Sequence, residues 1–387
     1  MKSFVTLLKD KSVIGGIVMA LFYQIVFISV FMYGYSAVPK NIDQLSVSIV
    51  NEDTKAGKDI AEQLQKQLPF QITSDSSLAE AKEELNDRKT HMIVHIPANF
   101  TEQLSKQGEQ VKMDFLINQS NPAMVTSTMQ QVVSQITGSL NQQFAVQGVQ
   151  GILQGMNVPE EQAKQLSEQV PAKLAANVIN SNEVPAGMHN QMAPFFLSMV
   201  SYVGAMIFSM LVVGATLARR KELGTWQAFW SAQGINALVS LVVPVVGLTI
   251  YFLVQGGFGG EIFMKAWMLQ ALEMFAAIEF MSIFCLLLGD KAIFVNITLL
   301  LMQTISSGAV MTQDMMPGLF KALSYVSVMF YSVQTSFSIL FGGGQAGVHL
   351  LGLALMAVIS LLVGTGIYTL KNAKALRKPA VVTDTAS

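Results

Sequence analysis

Two acids stand inside an otherwise apolar stretch, Glu273 and Glu279 within Trp267–Leu288. A charged group near the bilayer centre costs at least about 2.5–3.5 kcal/mol on insertion scales, so it faces a cavity, pairs, or takes up a proton. Six helical residues turn through about 600°, leaving about 120° between the two side-chain directions. The pair therefore cannot line one narrow face. Structural pairing inside the chain is one reading; a substrate or proton pathway is the other. Gln270 lies one turn from Glu273 and Ser282 one turn from Glu279, with Asn296 and Gln303 on the next stretch as further hydrogen-bond partners. A second run, Ala218-Arg219-Arg220-Lys221-Glu222-Leu223-Gly224-Thr225-Trp226, orders a basic cluster, an acid, Gly-Thr and an apolar helix. Taken by itself it is a basic loop before an amphipathic helix. Gly224 relaxes the backbone, Thr225 suits an N-cap, and the helix dipole favours Glu222 just outside that N-terminus.

Other chemistry is missing from the sequence. There is no G-x-x-x-x-G-K-[ST] loop to cradle nucleotide phosphates, and Gly342-Gly343-Gly344-Gln345 lacks the lysine and reads as a flexible turn. The four histidines, His91, His95, His189 and His349, are scattered. His91 and His95 share a strand face without acidic or cysteine company in the sequence, which favours packing over a metal site. The single cysteine, Cys285, can form no internal disulfide and is too solitary for zinc or redox work. No Ser/His/Asp set is recognisable, so no enzyme activity, metal or cofactor is expected of the chain itself.

The elements that must position these residues follow from composition. Of 387 residues 51% are hydrophobic and only 13% charged, about half the charge of a soluble domain. A net charge of −1 argues against a nucleic-acid partner. The charge is also unevenly placed. Residues 40–193 hold 11 Lys/Arg and 17 Asp/Glu, while the other 233 residues hold 13 and 8. A polar, acidic, Gln-rich insert thus sits within a membrane body.

No charge occurs between Lys11 and Lys40, and Val13–Tyr35 is apolar over the roughly 20 residues a bilayer requires. It is too long for a secretory signal and is read as an uncleaved first span after an amphipathic lead-in, Met1–Lys11. Further spans are expected at Pro194–Leu217, Ile235–Val254 (kinked at Pro244), Trp267–Leu288, Ala292–Met311 and His349–Leu370. With six spans, eleven cations of the short loops and termini lie on one side and only Lys265 and Lys321 on the other. That is a positive-inside pattern with both termini cytoplasmic. A seventh span at Leu319–Phe341 would break the pattern, so the Ser-rich segment 315–341 is read as a re-entrant or interfacial hairpin, which persists only where protein or a cavity surrounds it.

In the insert, Leu45, Val47 and Ile49 alternate as in a half-buried strand. Lys55–Leu68 has helical spacing. Ser77-Leu78-Ala79-Glu80 is a capping box opening a helix to Arg88. His91–Ile96 and Val111–Asn118 read as strands with a short helix, Pro97–Lys106, between them. Ser120–Gln150 and Pro159–Val178 are helix-permissive. The fold class is a polytopic α-helical membrane protein of six spans with an extracellular α/β domain between the first two. Its expected divisions are 1–37, 38–193, 194–370 and a tail at 371–387.

The order basic–Glu–x–Gly–Thr closely resembles the coupling segment of ABC-2-type exporter permeases, which docks on the ATPase subunit. Ser306-Ser307-Gly308, Met315-Met316-Pro317, Ser324-Tyr325 and Met329-Phe330-Tyr331 look like that family's last extracellular hairpin, although Val328 and Met329 stand where the family often has a proline. The insert pattern SVSIVNEDTKAGKDIAEQL, HMIVHIPANFTEQL and VKMDFLINQSNPAM is similar to the family's external insert. MAPFFLSMVSYVGAM at 192–206 resembles the phage-infection-protein-like branch. The resemblance implies a permease in the plasma membrane, working as a homodimer or a heterodimer with a homologous permease. A separate cytosolic ATP-binding subunit would meet Arg219, Arg220, Lys221, Glu222, Gly224 and Thr225, since no ATPase is fused. Glu273, Glu279 and Gln303 are the candidate intramembrane polar or pathway residues, and the substrate is left open. The competing reading is a non-transporting surface receptor or a scaffold for a secretion machine.

Overall fold

The computed structural model describes residues 41–74, 77–106, 110–153, 172–185 and 187–377. The expected first span Val13–Tyr35, its lead-in and the end of the tail lie outside the described residues.

Residues 41–181 build a five-stranded sheet of order β2-β1-β3-β4-β5. In chain order the elements are β1 (Ser46–Asn51), α1 (Ala56–Gln67), β2 (Gln71–Thr73), α2 (Leu78–Asn86), β3 (Met92–Ile96), α3 (Phe100–Ser105), β4 (Val111–Asn118), α4 (Ala123–Leu153) and β5 (Leu174–Ser181). β1 runs parallel to both β2 and β3, β4 is antiparallel to β3, and β5 is parallel to β4. The chain steps from β1 to β2 and then back across β1 to β3. Right-handed crossovers with opposite steps put α1 and α2 on opposite faces. Accordingly Ile60 and Leu64 of α1 join Val47 and Ile49 in one core, and Ala81 and Leu85 of α2 join Val50 and Ile93 in another. β1 is therefore buried on both faces from Val47 to Val50, not half-buried as its alternation suggests. The helix α4 lays Val125, Met129, Val132, Val133, Ile136 and Leu140 on the first of these cores, a spacing that keeps them on one helical stripe.

The Ser77 capping box forms as its sequence predicts: Glu80 N–H donates to Ser77 Oγ (3.2 Å) and Ser77 N–H to Glu80 Oε2 (2.9 Å). The helix-permissive reading of Pro159–Val178 is corrected over Leu174–Val178, which belong to β5. Its eight residues pair with β4 from Val111↔Leu174 to Asn118↔Ser181; the open edge of β4 overrides local propensity.

The helical body comprises α5 (Ala193–Leu223), α6 (Thr225–Gln255), α7 (Gly260–Leu288), α8 (Ala292–Ser306), α9 (Gly318–Ser324), α10 (Val328–Phe341) and α11 (Ala346–Arg377). Among the described residues four stretches are long and apolar enough to cross a membrane: Ala193–Leu223, Thr225–Gln255, Gly260–Ser306 and Ala346–Ala373. At 31 residues, α5 and α6 are each about 46 Å long, beyond the roughly 30 Å hydrocarbon core. The helix α6 continues through Pro244. α7 is the central element, packed on α5, α6, α10 and α11. It ends at Gly289 (φ 60), and a 3-10 turn, Gly289–Lys291, leads into α8.

α8 stops at Ser306, short of the expected Met311. Gly308 turns at φ 73, and Gln334 Nε2 donates to the carbonyls of Ser307 (3.2 Å) and Gly308 (3.3 Å), supplying acceptors at the helix end with the partner they otherwise lack. Residues 315–341 form α9 and α10, with Ser327 Oγ capping α10 through the Phe330 N–H (3.1 Å). Met311, Met315, Met316 and Phe320 enter the main sheet core, and Asn41 Nδ2 donates to the Met315 carbonyl (3.0 Å). This segment of the helical body thus shares the main core of the sheet, while the long helices pack around clusters of their own.

Candidate functional site

The basic cluster occupies the last turns of α5, where the negative end of the helix dipole favours cations. The chain then reverses at Gly224, whose φ of 87 suits glycine above other residues. Gly224 is the N-cap of α6, and the Gly224 carbonyl accepts the Ala228 N–H at 3.0 Å. Thr225 is the first helical residue and makes no side-chain cap, which corrects its expected role. Its carbonyl instead accepts from Tyr368 Oη (2.8 Å). The Tyr368 ring packs 4.8 Å from Phe229 and 6.1 Å from Trp226, and Arg220 Nη1 donates to Asn372 Oδ1 (3.0 Å). These contacts bind the end of α5, the start of α6 and the end of α11 into one unit. A cleft of about 690 Å³ opens there between Arg220, Lys221, Gly224, Trp226, Thr369 and Asn372. Arg219, Lys221 and Glu222 are exposed beside it. Glu222 lies within the last turn of α5 and forms no ion pair among the described residues. There the dipole of its own helix disfavours an acid.

The two acids of α7 are both buried and face different neighbours, as their angular separation requires. Glu273, fully buried, accepts from Ser332 Oγ of α10 (2.6 Å) and from Ser198 Oγ of α5. Glu279, 2% exposed, accepts from Asn236 Nδ2 of α6 (2.8 Å). A small cavity of about 30 Å³ adjoins it, bounded by Thr216, Gln233, Ser282 and Tyr368.

Of the neighbours read from the sequence, Gln270 keeps its contact with Glu273, Ser282 borders the cavity beside Glu279, and the others bond elsewhere. Gln270 Oε1 accepts from Ser201 Oγ (2.8 Å). Asn296 Nδ2 reaches Cys285 Sγ at 3.6 Å. Gln303 Nε2 donates to Tyr202 Oη, while its Oε1 accepts from Ser327 Oγ (3.1 Å) and the Met329 N–H (3.2 Å). Gln303 thus fixes the start of α10 against α5 and does not join either glutamate. Ser198 and Ser332, the partners of Glu273, carry no signal in the sequence beyond being hydroxyls inside apolar segments.

Two further expectations change. His95 has acidic company after all: Nδ1 lies 3.0 Å from Asp114 Oδ2 and Nε2 3.4 Å from Glu52 Oε2, brought together by strand pairing. Even so, neither these three nor any other group of His, Cys, Asp and Glu among the described residues is placed to hold a metal ion. Gly342, Gly343 and Gly344 form a specific joint rather than a loose turn, all at positive φ. The Gly344 N–H donates to the Asn86 carbonyl (2.7 Å), and a Cβ on Gly343 would stand 2.8 Å from that same carbonyl oxygen.

Long apolar helices around an interior that holds polar groups, continuous with a mixed α/β sheet, define a multi-pass membrane protein. The chain belongs to the ABC-2 family of transporter proteins, whose family model matches residues 14–365. No curated protein matches the chain. Membership places it among the membrane subunits of ABC transporters, whose partner is an ATP-binding subunit.

Proposed function

We propose that the chain is the permease subunit of an ATP-driven exporter, of the phage-infection-protein-like branch, and that the reversal at Gly224 receives its ATP-binding subunit. In this reading six spans cross the plasma membrane, both termini are cytoplasmic, and the sheet region is an external insert between the first two spans. The eleven-to-two distribution of cations supports this orientation. The divisions at 1–37, 38–193, 194–370 and 371–387 follow from it, with 315–341 as a re-entrant hairpin. Two copies, or one copy and a homologous permease, form the pathway.

The observation that carries the reading is the joint itself. The exposed Arg219, Lys221 and Glu222 lie beside a cleft, and the Arg220–Asn372 and Thr225–Tyr368 bonds tie the helix ends behind them. A push there moves α5, α6 and α11 together, which is what a two-state switch requires. Glu273, Glu279 and Gln303 then serve as polar contacts between helices that shift, with the cavity beside Glu279 as the place where a cation or proton would be met.

The test is purification of the full chain from its native membrane. A co-purifying ATP-hydrolysing subunit is expected, and Arg219→Glu with Lys221→Glu should release it while the chain stays inserted. Arg220 is left intact because it holds Asn372. A chain that purifies alone, and functions unchanged after those substitutions, supports a receptor or secretion scaffold instead.

A further inference from the structure

The sheet region and the helical body meet around one arginine. Arg88 follows α2 at φ 62 and turns its guanidinium into the junction. Nε donates to Ser120 Oγ (3.2 Å), Nη1 to Gln334 Oε1 (3.5 Å), and Nη2 to Ser338 Oγ (3.3 Å) and the Gly342 carbonyl (3.2 Å). Its Cζ lies 5.6 Å from the Phe337 ring centroid. All of these acceptors are neutral, and Arg88 forms no ion pair among the described residues. Burial lowers its pKa to about 10, so it stays charged at neutral pH. A guanidinium has more N–H donors than these four bonds use, and its charge is left without a counter-charge in a poorly solvated place, which is costly.

Beside it lies a cavity of about 160 Å³ lined by Arg88, His91, Asn121, Thr312, Gln334 and His349, among others. Three of the polar atoms of these residues have no partner among the described residues: Asn121 Oδ1, Thr312 Oγ1 and His349 Nδ1. Asn121 is only 3% exposed. Buried polar atoms are nearly always hydrogen-bonded, and here three of them surround the same space as the uncompensated cation. Asp87 and Asp314 also reach the wall, but Lys89 (3.2 Å) and Lys321 (2.8 Å) pair with them. The charge left over is that of Arg88. A water takes about 30 Å³ of liquid volume, so waters fit the space and could bond the three atoms, yet they bring no counter-charge.

We propose that this cavity binds a phosphate-type oxyanion, whose P–O⁻ groups face Arg88 and whose remaining oxygens meet Asn121, Thr312 and His349. A protonated phosphate oxygen supplies the donor that Asn121 Oδ1 requires. His349 stands in the first turn of α11, an apolar helix long enough to span, so the group can come from a lipid headgroup as well as from solution.

The probes are inorganic phosphate, titrated against chloride at constant ionic strength, and nanodiscs containing phosphatidic acid compared with phosphatidylcholine alone. Each is read on the purified full chain by thermal unfolding and calorimetry. Stabilisation by free phosphate identifies a soluble oxyanion; stabilisation by phosphatidic acid alone identifies a headgroup. Arg88→Gln should weaken either by about tenfold or more. Because Arg88 also joins the two regions, Thr312→Val and His349→Phe provide the second test. Both leave its bonds in place and should each weaken binding several-fold. No stabilisation by either probe, or stabilisation undiminished in all three variants, overturns the proposal. Neither ATP nor transport enters the measurement, so its outcome is independent of the coupling reading.

Discussion

The sheet region hides most of its apolar side chains, with Leu45, Met92, Phe100 and Phe115 fully buried and Val178 and Ile179 of β5 among the few exposed. The helical body turns many of its own outward: Leu253 is 78% exposed, and Val200, Leu211 and Leu362 point the same way. Its interior mixes Ser198, Gln270, Glu273 and Asn296 with apolar residues such as Met274 and Ile278. One region is built for water and the other for hydrocarbon, and the difference changes what a buried carboxylate does. Asp53 in the sheet region accepts the N–H groups of Lys55 (2.9 Å), Gly57 (2.9 Å) and Thr101 (3.1 Å), and the Thr101 hydroxyl (2.6 Å). Burial alone would raise its pKa, but Thr101 and these backbone donors together hold it down at about 2. Glu273 takes side-chain hydroxyls from two other helices. Backbone donors have nowhere else to turn, whereas a helical serine can rotate to its own i−4 carbonyl. The first acid fixes local structure; the second joins three different helices.

The largest expected effect belongs to the sheet region. His91 is buried, and its Nδ1 accepts the Ser46 N–H (3.0 Å), which requires the neutral ring. Burial lowers its pKa from 6.5 to about 4, so between those values the unfolded chain binds the proton more readily. Stability is whole above pH 6.5 and falls as pH drops towards 4, by about 3 kcal/mol. Unfolding of the full chain followed across that range should show the slope, and His91→Gln should flatten it. A native chain with no slope there breaks the contrast on this side.

A smaller difference separates the acids. Asp53→Ala should cost about 2 kcal/mol, since it strands backbone donors at the start of α1. Glu273→Leu should cost about 1 kcal/mol or less, since it replaces a buried polar contact with a packed apolar group. Equal losses in thermal unfolding would remove the distinction drawn between them. Smallest of all is Glu279→Gln, which keeps an acceptor for Asn236 and should change stability by under about 0.5 kcal/mol. If Glu279 meets a cation or proton, transport falls in that variant while expression holds; unchanged transport makes it a structural partner.

Legibility in the sequence divides along the same line. Local rules reveal the capping box at Ser77, the strands at 92–96 and 111–118, and the long apolar runs, because each depends on near neighbours in the chain. β5 was hidden because its partner, the edge of β4, lies some 60 residues earlier. The separation of Glu273 from Glu279 was legible from helical geometry. Their partners were not, since Ser198, Ser332 and Asn236 arrive from other helices by packing. Gly224 was legible as a reversal, while the ties from Tyr368 and Asn372 depend on where α11 ends. Arg88 was legible only as the end of the capped helix, because Gln334 and Gly342, which close around it, lie 246 and 254 residues further on.

The central claim is that force from an ATP-binding subunit enters at the reversal between α5 and α6. Glu222 tests it most directly, because it is exposed, carries no internal ion pair among the described residues, and sits where its own helix dipole disfavours an acid. The measurement is the ATP hydrolysis rate of the reconstituted complex beside its transport rate, for the native chain and Glu222→Ala. The expected result is a folded, assembled complex in which hydrolysis persists while transport per ATP falls about fivefold or more. Both rates equal to those of the native complex would contradict the claim at this residue.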